Sequence, residues 1–224
     1  MKLESGESVK DKLIRRHDYF NLLSLPFVIS LNLLYFIQIS RFSMEGNFLQ
    51  ITNIAEESST KYAESLNFWV FNTYILVDTL WIIISPDSVP SAPPLIFHHF
   101  GTMVGWISPV FHQRWAFWSS LAALVETNTF FLILKRQQGR NFLIVHVAFY
   151  VTWVLLRLLV YPIGLVIFSG EYWEYSRHHP RGFLNSGLCM EMLILFLNVL
   201  NFNWTIDLIK KQWSDKSKPK SKSK

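Results

Sequence analysis

The sequence predicts an all-α, polytopic membrane protein of about six transmembrane helices in one bundle. Three observations carry this. Half of the 224 residues are hydrophobic, with 19 Phe and 9 Trp among them. The apolar residues gather into runs of about 17–25, the length a helix needs to cross a hydrocarbon core of about 30 Å. The basic residues cluster at the ends and in one loop instead of spreading over a polar face, as they would in a soluble domain that alternates polar and apolar positions.

The first 18 residues, MKLESGESVKDKLIRRHD, are hydrophilic and mixed in charge. They lack the apolar stretch and small-residue cleavage site of a signal peptide, so the first span is expected to serve as the insertion signal. Six spans follow, over residues 19–39, 66–84, 95–111, 115–134, 142–168 and 183–209, forming one membrane domain over 19–209. Between the first two lies an acidic loop, 40–65, with Glu45, Glu56, Glu57 and Glu64 and room for a short amphipathic helix. The third span is short, carries Pro109 near its end, and meets the fourth at a polar break, His112-Gln113-Arg114. The fifth is long and holds Pro162 and Gly164 in its second half. Either the helix kinks or tilts there, or it ends early and the remainder lies at the interface. Residues 210–224 form a basic tail.

Basic residues in the loops set orientation. With the N-terminus cytosolic, that side holds 15 of the 21 basic residues and the opposite side holds 5, with Arg157 inside the fifth span. Both termini are therefore expected in the cytosol. The net charge of +5 comes largely from the tail lysines, which suit a solvated anchor beside anionic headgroups and exclude a nucleic-acid reading. Lys220 and Lys222 stand fifth and third from the end, as in the dilysine signal for return to the endoplasmic reticulum; the plasma membrane is the alternative location. A single cysteine, Cys189, allows no internal disulfide.

Ionisable groups inside apolar runs cost about 2.5–3.5 kcal/mol each at a helix centre, so their placement carries information. At about 1.5 Å per residue, His98 and His99 lie roughly 5 Å inside the cytosolic face, Asp78 roughly 10 Å, and Glu126 and Asn201 roughly 13 Å. Asn203 is nearer the surface, and Arg157 is deeper, roughly 22 Å. Four spans thus carry polar groups into one layer, and such groups are expected to face one another or a small wet cavity. Imidazole beside carboxylate suits acid–base work, and imidazole can also attack an activated acyl group. His98, His99, Glu126 and Asp78 are the catalytic candidates. Adjacent histidines point about 100° apart on a helix, so one of the two can sit at the headgroup level. Thr102, Asn128, Arg157, Asn201 and Asn203 are candidates for lipid binding or for polar ties between helices. Ser119, Ser120, Ala122 and Ala123 form a close-packing face on the fourth span. His178-His179 is expected to be solvated, and His17, His112 and His146 have no evident partner. The spacing of the histidines and carboxylates matches no tight metal pattern.

At these residues the chain resembles the TLC family, the membrane proteins grouped with TRAM, the Lag ceramide synthases and the CLN lipid-related proteins, over about 68–211. Asp78 followed by prolines and then His98-His99 is similar to the entry into the family's third core helix. His98-His99-Phe100-Gly101-Thr102 is similar to the HHxxT opening of the ceramide-synthase motif. Glu126-Thr127-Asn128-Thr129-Phe130 resembles a run in the smaller TLC-domain proteins, and Arg157 with Pro162 and Leu200-Asn201-Phe202-Asn203-Trp204 resemble later landmarks. Ceramide synthases continue into a His-Asp pair and a further Asp, where this chain reads LVETNTFFLILK. The resemblance is therefore closer to the small TLC-domain proteins.

Three readings remain open. The first is a protein of lipid homeostasis that binds or handles an acyl lipid in a polar site in the cytosolic half of the bundle, with membrane lipids as partners. The second is an acyltransferase with acyl-CoA as co-substrate and no other cofactor, His98 or His99 serving as base or nucleophile and Glu126 or Asp78 orienting it. The third is a trafficking or cargo receptor, in which the tail and the 40–65 loop matter most. Homo- or hetero-oligomers are compatible with all three.

Overall fold

The computed structural model describes residues 8–45, 58–111, 115–138, 142–178 and 186–217. Among these the backbone is almost wholly helical, with no strand. The helices are α1 (Val9–Glu45), α2 (Ser58–Ile84), α3 (Ala92–Phe111), α4 (Ala116–Ala123), α5 (Glu126–Gln138), α6 (Leu143–Thr152), α7 (Tyr161–His178) and α8 (Ser186–Ser217). A 3-10 turn, Pro86–Ser88, links α2 to α3, and a π-helical stretch, Trp153–Val160, joins α6 to α7. The His112-Gln113-Arg114 break, His179, Arg140, Arg181, residues 46–57 of the acidic loop and the last lysines lie outside the described residues.

Among the described residues, five helical stretches are long and apolar enough to cross a membrane: Val9–Gln38, Glu64–Ile84, Ala116–Gln138, Leu143–Arg177 and Gly187–Ser214. The expected third span is formed as α3, a 20-residue helix opened by Pro93 and Pro94, residues whose missing N–H groups cost nothing in a first turn. It packs between α2 and α8, and α1 packs against α2, α4 and α5. The protein is thus an all-α polytopic bundle. Its inside is aromatic, with Phe71, Trp115, Phe149 and Phe168 almost fully buried. Its outside is apolar too, with Leu23, Ile144, Val166 and Phe202 exposed, as suits a surface solvated by lipid.

Three local features shape the interior. First, α1 starts at Val9 instead of near residue 19. The Ser8 hydroxyl accepts from the Asp11 N–H at 3.1 Å and donates to the Asp11 carboxylate at 2.7 Å, a reciprocal cap that lets the helix begin early. His17 and Asp18 are therefore helical and buried.

Second, the expected fourth span is interrupted. At Leu124 and Val125 the ladder tightens, with Leu124 N–H donating to the Leu121 carbonyl and Val125 N–H to that of Ala122, both at 3.2 Å. The Tyr161 hydroxyl donates to the Ala122 carbonyl as well, at 2.9 Å. The break sets Glu126 in the first turn of α5, where the helix dipole favours a carboxylate.

Third, the long fifth span neither ends at Pro162 nor stays regular. A proline removes one N–H and collides with the carbonyl four residues earlier, and the turns just before Pro162 widen to π geometry, with Arg157 in their middle. The helix then continues to His178.

Candidate functional site

The buried polar residues predicted from sequence lie in two clusters joined by His98. The first centres on Asp78 of α2, which is 3% exposed. His17 Nε2 of α1 lies 2.7 Å from Asp78 Oδ1, and Asn21 Nδ2 donates to the same oxygen at 3.1 Å. The Tyr74 hydroxyl donates to Asn21 Oδ1 at 2.8 Å. An ionised carboxylate only accepts, so in that state His17 carries its hydrogen on Nε2. His99 Nε2 approaches Oδ2 of the same carboxylate at 3.6 Å, beyond direct hydrogen-bond length. The Thr79 hydroxyl gives its hydrogen to the Ile75 carbonyl at 2.6 Å and so accepts from His99 Nδ1 at 3.1 Å. His99 therefore has Nδ1 committed to Thr79, while Nε2 faces the Asp78 carboxylate beyond hydrogen-bond reach.

The second cluster centres on Arg157. Its Nε donates to Asn128 Oδ1 at 2.9 Å, and its Nη1 to Asn201 Oδ1 at 2.6 Å. The guanidinium carbon lies 5.0 Å from the Trp153 ring centre and 5.3 Å from that of Trp204. Asn128 is fixed in turn, donating to the Phe149 carbonyl and the Thr152 hydroxyl, each at 3.0 Å. Arg157 thus ties its π-helical stretch to α5 and α8 through amide oxygens and π faces, not through the Glu126 carboxylate.

His98 stands between the clusters. Its ring is 5.6 Å from His99 and 5.5 Å, edge to face, from Trp204. It lines a cavity of ≈ 20 Å³ together with Thr102, Ser119, Glu126 and Tyr161. Two polar atoms of the lining, His98 Nδ1 and Ser119 Oγ, are buried and have no hydrogen-bond partner among the described residues. The volume suffices for one water, which needs 2–4 polar partners. In this shape the cavity is too small for an acyl chain, which could enter only after the surrounding helices part. Among the described residues no three His, Cys, Asp or Glu side chains are grouped to hold a metal ion.

The structure therefore brings together Asp78, His98, His99, Thr102, Glu126, Asn128, Arg157 and Asn201. Asn203 is exposed on α8, two residues and about 200° around the helix from Asn201. Sequence reasoning missed His17 and Asn21 as partners of Asp78, because residues 1–18 read as a solvated segment. The available signal was the pair of polar residues four apart, His17 and Asn21, on one helical face running into the first span. It also took Ser119 for packing alone.

Residues 20–210 match the family model for the TLC domain, and the chain belongs to that family. The match takes in α1 from residue 20 onward, ahead of the region over which the motifs were legible. No curated protein and no solved structure matches the chain. Membership places it among membrane proteins of lipid metabolism and homeostasis, whose natural partners are membrane lipids.

Proposed function

We propose that this protein binds or handles an acyl lipid at the polar cavity around His98, in the half of the bundle nearest the cytosol, with both termini cytosolic and the endoplasmic reticulum as its membrane. One observation carries the reading. His98 Nδ1 and Ser119 Oγ are buried, unpartnered and on the wall of one cavity, beside the Glu126 carboxylate. A buried polar atom without a partner costs about 1–3 kcal/mol, and a carbonyl, hydroxyl or headgroup atom entering the cavity would relieve that cost.

The contrast between the histidines supports a second reading, acyl transfer from acyl-CoA. His99 is held by Thr79 and faces Asp78, whereas His98 keeps a ring nitrogen free. In such a transfer His98 would take the proton of an acceptor hydroxyl or amine. The acceptor would then bond to the thioester carbonyl as the coenzyme A thiolate leaves, and the thiolate would receive the proton.

The test uses purified full-length protein, wild type beside His98→Ala and His99→Ala. Co-purified lipids are identified by mass spectrometry, and long-chain acyl-CoA is then supplied with sphingoid and lysophospholipid acceptors. A specific lipid retained by wild type and lost in His98→Ala supports binding; acyl transfer lost in the same variant makes the protein an enzyme. Neither lipid nor transfer in wild type overturns both readings and leaves the trafficking role.

A further inference from the structure

A second hollow, of ≈ 370 Å³, lies on the flank of the bundle between α1 and α2, within the two stretches able to cross a membrane. Phe20, Phe27 and Val28 wall it on one side and Val70, Tyr74 and Val77 on the other. The helices run antiparallel, so Phe20 and Val77 mark the end towards the N-terminus of α1. There the ring of Phe20 stacks on Trp81 at 5.4 Å and closes that end.

The chemistry changes one turn further out. Arg16 precedes Phe20 by four residues, and Lys12 precedes Arg16 by four, so these side chains follow one another along a single face. Both are exposed, and neither is paired with a carboxylate among the described residues. By contrast, Lys10 on the same helix lies 3.8 Å from Asp87. An apolar groove at hydrocarbon depth, topped by two free cations at headgroup depth, is complementary to a molecule with a chain and a negative head.

We propose that this groove is a binding site for an anionic glycerophospholipid, one acyl chain lying between α1 and α2 and the phosphate headgroup meeting Arg16 and Lys12. The site also touches the buried cluster. Tyr74 forms part of the groove wall, and its hydroxyl donates to Asn21, which donates to Asp78. A chain in the groove therefore presses on a ring whose position helps set the Asp78 network. The lipid acts from outside the bundle, and the test needs no turnover at His98.

The experiment uses full-length protein in bilayer nanodiscs of phosphatidylcholine. These carry a small fraction of either phosphatidylserine or phosphatidylcholine with a diazirine in one acyl chain, and crosslinked peptides are mapped after irradiation. Crosslinks in 20–28 and 69–77 should be roughly 25-fold stronger for the serine lipid, about fivefold for each of the two charges. Lys12→Gln and Arg16→Gln should each reduce that preference about fivefold, the worth of one surface charge near anionic lipid. Val70→Trp, which fills the groove, should abolish these crosslinks while those on other lipid-facing helices persist; the two charge variants test the site independently if the Trp variant does not fold. Equal labelling by both lipids, or a preference that survives loss of both charges, overturns the proposal, as does crosslinking confined to a second copy of the chain.

Discussion

Asp78 is shared between two histidines from different helices. Leu at position 78 keeps the size but removes both oxygens, so the His17 ring and the Asn21 amide lose their shared partner. Asp78→Leu should lower stability by about 1–3 kcal/mol, read as an earlier thermal transition in detergent. Another buried carboxylate, Asp18, pairs with Arg136, whose side chain is 35% exposed; Gln137 Nε2 donates to it as well, at 2.5 Å. The two halves of this pair should not be equivalent. Removing Arg136 strands a buried charge, a loss of about 3–5 kcal/mol in the general case, softened here by Gln137. Removing Asp18 leaves an arginine that can turn to solvent, so Asp18→Ala should cost less than Arg136→Ala when both are melted side by side. The reverse order would mean that the pair is not the main tie between α1 and α5.

The contact between α3 and α8 depends on glycine. A Cβ built on Gly105 would fall 1.8 Å from Leu193 Cδ2 and 3.3 Å from its Cγ, and one on Gly101 would fall 3.1 Å from Leu193 Cδ1. The spacing Gly101-x-x-x-Gly105 lets two helices approach closely in a setting where packing replaces the hydrophobic effect as the driving force. Gly105→Ala should therefore cost about 1–3 kcal/mol through overpacking. Leu193→Ala should recover part of that loss in the double variant, a coupling measurable by a thermodynamic cycle; strict additivity would show that the helices do not meet there. The π-helical stretch has an equally local cause in Pro162, and its effect is to aim Arg157 at Asn128 and Asn201. Asn128→Leu, which leaves a guanidinium donor unmet at depth, should destabilise by about 1–3 kcal/mol, with a change in the fluorescence of Trp153 and Trp204, which stack on the same group.

Across the whole molecule, the described helices pack polar side chains inward and apolar ones both inward and outward, as an all-α protein in lipid must. The proposed orientation makes one prediction at this scale. Cys189 is the sole cysteine, it is exposed, and it lies in the first turn of α8. A membrane-impermeant maleimide should label it only from the side opposite the termini, whereas a tag at either end should be reached by antibody once the plasma membrane alone is permeabilised. Labelling of Cys189 from the cytosolic side would reverse the topology and the depth assignments built on it.

The apolar runs by themselves determined that the chain is helical and where its helices lie, because backbone groups in lipid have to be satisfied within one segment. Counting residues along those helices also put Asp78, His98, His99 and Glu126 at similar depths. Direction around each helix was legible in part: Asn201 and Asn203 stand on opposite faces by their spacing alone, and one is buried while the other is exposed. The tertiary structure decided the pairings. His17 became a partner of Asp78 because a serine cap extended α1 far enough to bury it. Arg157 turned to asparagines because a proline widened the helix in front of it. The interruption before Glu126 carries no proline or glycine to announce it, and the Tyr161 hydroxyl that adds a second hydrogen bond to the Ala122 carbonyl comes from a position 39 residues away. Depth is a property of one helix and its length; partnership depends on which faces of several helices meet, and that is set by packing across the bundle.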